Sequence, residues 1–166
     1  MARVRMIALL LLAGCAQADA QPSAAERSPA IASDWEPLPA IATAIAAAAT
    51  VDGIVVDTAS AWGETARGCY GVMLVLHSGS SGASATSIAD DIIASLSSDT
   101  AILVRDVVRS DDDAVLSLTF ERGLFRGRLR THVTGGEITA AACFANDRER
   151  AGCELACTGF LAAGAR

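Results

Sequence analysis

One histidine in this chain precedes a run of serines and glycines of the kind that forms nucleophile or anion-binding loops. His77 is followed by Ser78–Ser84, with the sequence SGSSGAS. A serine hydrolase needs the histidine to meet a serine and a carboxylate, and the amides of such a loop suit an anion. The segment His77–Gly82 matches neither G-x-S-x-G nor G-x-x-x-x-G-K-[ST]. A strand-to-helix connection is therefore the favoured interpretation, with a hydrolase as the alternative, and no catalytic residue is predicted.

The five cysteines are the second set of residues with chemistry to offer. Without Cys15, four remain (Cys69, Cys143, Cys153 and Cys157), and four cysteines allow three disulfide connectivities. A zinc site is the alternative, but only Cys153 and Cys157 approach the paired spacing of structural zinc sites. A bond between those two within one helical turn is sterically awkward. We therefore expect Cys69 and Cys143 each to bond one of the pair, and we predict no metal or cofactor.

Arginines at alternate positions of a candidate strand form the third set. Arg126, Arg128 and Arg130 fall on one face of a strand, about 7 Å apart. Guanidinium groups so placed suit a partner that carries carboxylate or phosphate groups. The alternative is a solvated sheet face whose arginines are balanced by acids from neighbouring strands.

The first fifteen residues, MARVRMIALLLLAGC, determine the predicted location of the chain. Arg3 and Arg5 precede the apolar run Met6–Ala13, which is the length of a signal-peptide core and too short to span a bilayer. The ending Leu12-Ala13-Gly14-Cys15 resembles the lipobox of bacterial lipoproteins. The resemblance implies cleavage after residue 14, acylation of Cys15 and attachment to the cell envelope through the acyl chains. An ordinary secretory signal is the alternative.

Composition limits the partners of the mature chain. Removing residues 1–14 leaves 11 basic against 19 acidic residues, a net charge of −8, which disfavours nucleic acid and anionic lipid headgroups as partners.

Residues 15–37 have little apolar periodicity and are predicted to be the lipidated cysteine and a flexible tether, with Trp35 packing on the domain. Ala16 replaces the aspartate of the enteric sorting rule, which by resemblance favours the outer membrane, facing the periplasm.

Periodicity predicts the elements that must position these residues. Helices are expected over 38–50, 86–97 and 148–162, the second with a cap at Ser87 and Asp90, the third capped by Asn146-Asp147. The third helix carries Cys153 and Cys157 on its apolar face. Strands are expected over 54–62, 69–77, 101–108, 114–121, 124–133 and 137–145. The strand over 69–77 is apolar on both faces, which predicts a central position.

Two-residue turns predict the register of the last three strands. Arg122-Gly123 and Gly135-Gly136 are the predicted turns. They place the following residues opposite each other: Phe120 and Phe125, Leu116 and Leu129, Val133 and Ile138, Gly127 and Phe144, Arg128 and Cys143. One face of these strands is then apolar, and the other holds the arginines.

The predicted fold is one α+β domain over residues 38–166, with a mostly antiparallel sheet of about six strands covered by helices, in the order α-β-β-α-β-β-β-β-α. This order is similar to that of PsbP-type sandwiches, a likeness of fold that implies no function. The resulting hypothesis is a lipid-anchored envelope protein that binds a protein or a small anionic ligand and is not an enzyme. The alternative is an envelope hydrolase that uses the His77–Gly82 loop.

Overall fold

A computed structural model describes residues 31–32, 34–49, 54–78, 84–98, 100–110 and 114–163. The predicted signal peptide, Cys15 and most of the predicted tether lie outside these ranges. The elements are β1 (Glu36–Pro37), α1 (Pro39–Ala49), β2 (Ile54–Glu64), β3 (Cys69–Ser78), α2 (Ala85–Ser98), β4 (Leu103–Arg109), β5 (Val115–Arg122), β6 (Phe125–Thr134), β7 (Glu137–Asn146) and α3 (Arg150–Ala163). Among the described helices, none has the length and apolar character needed to cross a membrane.

The strands form one antiparallel sheet with the order β1-β2-β3-β7-β6-β5-β4. The chain leaves β3 through α2, enters the sheet again at the far edge as β4, and returns by hairpins until β7 pairs with β3. β3 is therefore a central strand, as its apolar faces predict. The predicted α+β class and antiparallel sheet are confirmed.

Helices cover the two faces of the sheet and create two separate cores. α1 and α2 pack on one face, where Ile45, Leu76 and Leu96 are buried against the sheet. α3 packs on the other face, against Met73, Ala141 and their neighbours on β3 and β7. The buried residues of α3 are those of its predicted apolar stripe: Cys153, Cys157, Phe160 and Leu161.

Residues just before Leu38, where the domain is predicted to begin, also pack on the sheet and on α3. Trp35 is buried, and its ring centroid lies 5.7 Å from that of Phe160. The next two residues form β1, which pairs with β2. A strand of two residues has no periodicity to reveal it in the sequence, and Trp35 packs on the domain as predicted.

Two helices start differently from the prediction. α2 begins at Ala85, because Ser84 caps it: the Ser87 amide donates to Ser84 Oγ at 3.1 Å. The predicted cap formed by Ser87 and Asp90 is therefore wrong. α3 begins at Arg150, and the Asn146 side chain instead accepts a bond from the Arg148 amide, which closes the turn before the helix.

The register of the β6–β7 hairpin is confirmed. Gly135 and Gly136 form its turn with φ of 59° and 90°, values that suit glycine. The structure pairs Val133 with Ile138, Gly127 with Phe144, and Arg128 with Cys143.

The register of the β5–β6 hairpin differs from the prediction by two residues. Phe120 lies opposite Gly127 rather than Phe125, and Leu129 lies opposite Leu118 rather than Leu116. The turn consists of Gly123 and Leu124, with the positive φ of 57° at Gly123. The first central position of such a turn has positive φ, which suits glycine and not arginine. Gly123 therefore takes that position, and the turn moves one residue along the chain from the predicted Arg122-Gly123. An even shift leaves each side chain on its predicted face.

Candidate binding groove

Two disulfides fasten α3 to the sheet. Cys69 of β3 bonds Cys153, and Cys143 of β7 bonds Cys157, with Cα atoms 5.9 and 5.4 Å apart. All four cysteines are buried. The expectation that Cys69 and Cys143 each bond one helix cysteine is confirmed. The disulfides leave no thiolate among these four for zinc, and the described part of the chain contains no cluster of three metal-binding side chains.

A groove of about 260 Å³ lies beside α3, over strands β4 to β7. The first turns of α3 form one wall, and the polar residues of β4, β5 and β6 form the other. Cys143, Cys153 and Cys157 contribute to its lining, so both disulfides adjoin it. The groove also contains four arginines: Arg105, Arg126, Arg128 and Arg150.

The arginine stripe (Arg126, Arg128 and Arg130) lies on the same sheet face as α3. Its members are opposite Ala145, Cys143 and Ala141 of β7, all of which belong to the core under α3. The predicted common face of the three arginines is therefore confirmed. Only the first two line the groove; the third lies farther along β6.

Acidic groups from β5, from α3 and from the turn before α3 neutralise the part of the stripe that lines the groove. Arg126 Nη1 lies 2.9 Å from Glu121 Oε1, and its Nε lies 2.9 Å from Asp147 Oδ1. Arg128 Nη2 lies 3.0 Å from Glu154 Oε1 and donates to Thr158 Oγ1 at 3.1 Å. Glu121 comes from the neighbouring strand, as the solvated-face interpretation predicts, but Asp147 comes from the turn before α3 and Glu154 from α3 itself. Each pair is partly exposed, so its contribution to stability is small.

Arg130 differs from the other two members of the stripe. Its Nε atom is buried without a hydrogen-bond partner among the described residues. An unsatisfied buried donor typically costs about 1–3 kcal/mol. The residues opposite Arg130, Ser117 on β5 and Ala141 on β7, carry no charge that could pair with it.

A β-bulge in β4 turns a carboxylate into the groove. Arg105 pairs with Thr119 and Val108 with Ser117, so two residues of β4, Asp106 and Val107, are opposite a single residue of β5. Bulges re-aim side chains in this way. The Asp106 carboxylate lines the groove and accepts a hydrogen bond from Thr119 Oγ1 at 2.8 Å. Asp106 was not predicted as a site residue; the one feature that sets it apart in the sequence is the charged pair Arg105-Asp106 inside an otherwise apolar stretch.

The histidines lie away from the groove. His77 is at the end of β3, where its Nδ1 atom contacts Asp57 Oδ2 of the β2 bulge. Residues 79–83 of the predicted loop lie outside the described residues. His132 follows the arginine stripe on β6, opposite Thr139, as the strand alternation predicts.

No protein-family model and no curated protein matches this chain.

Proposed function

We propose that this chain is a lipid-anchored bacterial envelope protein and a non-enzymatic binding module. Its binding surface is the groove together with the arginine stripe. The observation that carries the proposal is the groove itself, one wall of which is a helix that two disulfides hold against the sheet. A preorganised wall lowers the cost of ordering the protein when a ligand binds.

The location rests on the lipobox-like sequence at Leu12–Cys15 and on the disulfides. Disulfides persist in oxidising compartments, which include the bacterial periplasm, and they are rare in the cytoplasm. Acylation of Cys15 attaches the domain to the membrane, and the Ala residue at position 16 favours the outer membrane, facing the periplasm.

The intact mass of the chain, expressed with its own signal peptide in a bacterial host, tests the anchor. The sample is alkylated without reduction and compared with Cys15→Ser. We expect a species that begins at Cys15, carries acyl chains and has no alkylated cysteine. An unacylated species would refute the anchor, and alkylated cysteines would refute the two disulfides.

Replacing the arginine stripe tests the binding surface. Proteins that crosslink to the anchored chain in the intact envelope are compared between wild type and a variant with Arg126, Arg128 and Arg130 changed to Ser. Arg148→Ser is the matched control, because Arg148 is exposed and does not line the groove. We expect the triple variant alone to lose its crosslinks. Unchanged crosslinks would exclude the stripe from the binding surface.

The second candidate is an envelope hydrolase, and the contact between His77 and Asp57 favours it. A carboxylate on Nδ1 orients a histidine that acts as a base through its other nitrogen. A serine-reactive probe should then label the wild type but not Ser78→Ala or Ser80→Ala. Equal labelling of all three proteins, or labelling of none, would reject a nucleophile in this segment.

A further inference from the structure

The pairing of charges in the groove points to a ligand that carries both signs. Four arginines line it together with three acids: Asp106, Glu121 and Glu154. Glu121 pairs with Arg105 at 3.6 Å as well as with Arg126, Glu154 pairs with Arg128, and Asp147 adds another acid to Arg126. The sheet wall, whose three arginines are all paired, attracts a simple anion weakly, because the fields of paired charges cancel.

Of the seven charged residues that line the groove, two of opposite sign have no ion pair within the described part of the chain. Asp106 lies on the sheet side of the groove, and among the described residues its side chain has one partner, the Thr119 hydroxyl. Arg150 lies on the helix side and has no ion-pair partner among the described residues. Both side chains are exposed, so a ligand can reach them.

The backbone holds each of these residues in place. Asp106 is the one non-glycine residue with positive φ, 49°, in the described ranges. Aspartate tolerates this conformation better than most residues, and such outliers cluster at functional positions. Arg150 is the first residue of α3, three positions before Cys153, whose disulfide to Cys69 fixes the helix on the sheet.

We propose that the groove binds a small zwitterion, a molecule with one ammonium and one carboxylate group. The carboxylate pairs with the Arg150 guanidinium, and the ammonium pairs with the Asp106 carboxylate. The groove volume of about 260 Å³ lies just below the range of about 300–1,000 Å³ that is typical of ligand sites, so the ligand is small. This inference rests on the proposed binding function and replaces the small anion expected from the sequence.

Glycine, diglycine and triglycine are suitable probes, because they share two charged termini and differ in the spacing between them. The mature chain is labelled with ¹⁵N, purified in detergent micelles with its disulfides intact, and titrated while amide shifts are followed by NMR. We expect one of the three peptides to shift the amides of Asp106, Thr119 and Arg150 saturably, with a dissociation constant on the order of 1 mM. The N-acetylated and C-amidated forms of that peptide should bind about tenfold more weakly, because each lacks one charge-assisted contact.

Two variants assign the contacts. Asp106→Asn keeps a residue that tolerates positive φ, and it should make the uncapped and N-acetylated peptides bind equally. Arg150→Gln should make the uncapped and C-amidated peptides bind equally. Asp91→Asn and Arg148→Gln, which change exposed charges outside the groove, are the matched controls and should retain the wild-type preference.

Three results would overturn the inference. An N-acetylated peptide that binds the wild type as tightly as the uncapped one would identify a site for simple anions. Binding that neither variant alters would place the peptide elsewhere. The absence of groove shifts with every probe would exclude a zwitterion site. The crosslinks of the arginine-stripe test are measured independently, so their retention or loss decides the proposed binding surface separately.

Discussion

The two disulfides should differ in their contribution to stability, because they close loops of very different length. Their cysteines are 84 and 14 residues apart in the sequence. The chain-entropy model gives a stabilisation of about 4.6 kcal/mol for the longer loop and about 3.0 kcal/mol for the shorter. Removing the Cys69–Cys153 bond should therefore cost about 1.6 kcal/mol more than removing the Cys143–Cys157 bond.

The double variants Cys69→Ala/Cys153→Ala and Cys143→Ala/Cys157→Ala form a matched pair for this comparison. Each removes two buried sulfur atoms at the α3 interface, so the losses of packing are similar and the difference reports on loop closure. The free energy of unfolding is obtained from urea titrations followed by circular dichroism, with extrapolation to water.

Equal losses in the two variants, or a larger loss in Cys143→Ala/Cys157→Ala, would refute this reasoning. Either outcome would mean that native contacts of α3, rather than the entropy of the unfolded chain, determine what each disulfide contributes. The slope of unfolding against urea should also rise more when the longer loop is opened, because the unfolded chain then exposes more surface.

Three further predictions concern the helix interface and the groove. Phe160→Ala should lower the free energy of unfolding by about 3–5 kcal/mol, because the ring is fully buried; a loss below about 1 kcal/mol in urea unfolding would contradict the packing. Gly71→Ala should lower the free energy of unfolding by about 1–3 kcal/mol, since the added Cβ would lie 2.5 Å from the Trp35 ring. Adding Trp35→Leu to the Gly71→Ala variant should restore part of that loss in the same urea measurement. A double-mutant cycle of Arg128→Gln and Glu154→Gln should give a coupling below about 1 kcal/mol, because the side chains are 37% and 54% exposed; a larger value would indicate a desolvated pair.

The element types were predictable because local patterns determine them. β3 is apolar on both faces and proved central, and α3 buries the stripe that its helical spacing indicates. The β6–β7 register was also predictable, since Gly135-Gly136 leaves one good position for the turn. In the preceding hairpin the sequence offers one glycine, Gly123, and local information did not decide which neighbour shares the turn.

The groove was only partly predictable. The arginine stripe follows from strand alternation. Its acidic partners Asp147, in the turn before α3, and Glu154, on α3, were not predictable, because their positions depend on where the helix lies over the sheet. Asp106 reaches the groove through a bulge, which breaks the alternation on which a sequence prediction relies. Arg150 faces the same groove from an element 44 residues later in the sequence.

By itself, the sequence determined the type and order of every element except β1, the faces of the strands, and the expectation that the cysteines of α3 bond to the sheet, because each depends on spacing between neighbours in the chain. The tertiary structure decided that Cys69 meets Cys153 and that Cys143 meets Cys157. It also decided which charges neutralise one another and which two of those lining the groove have no ion pair among the described residues. Those contacts join residues that are distant in sequence, and the position of α3 on the sheet is what brings them together.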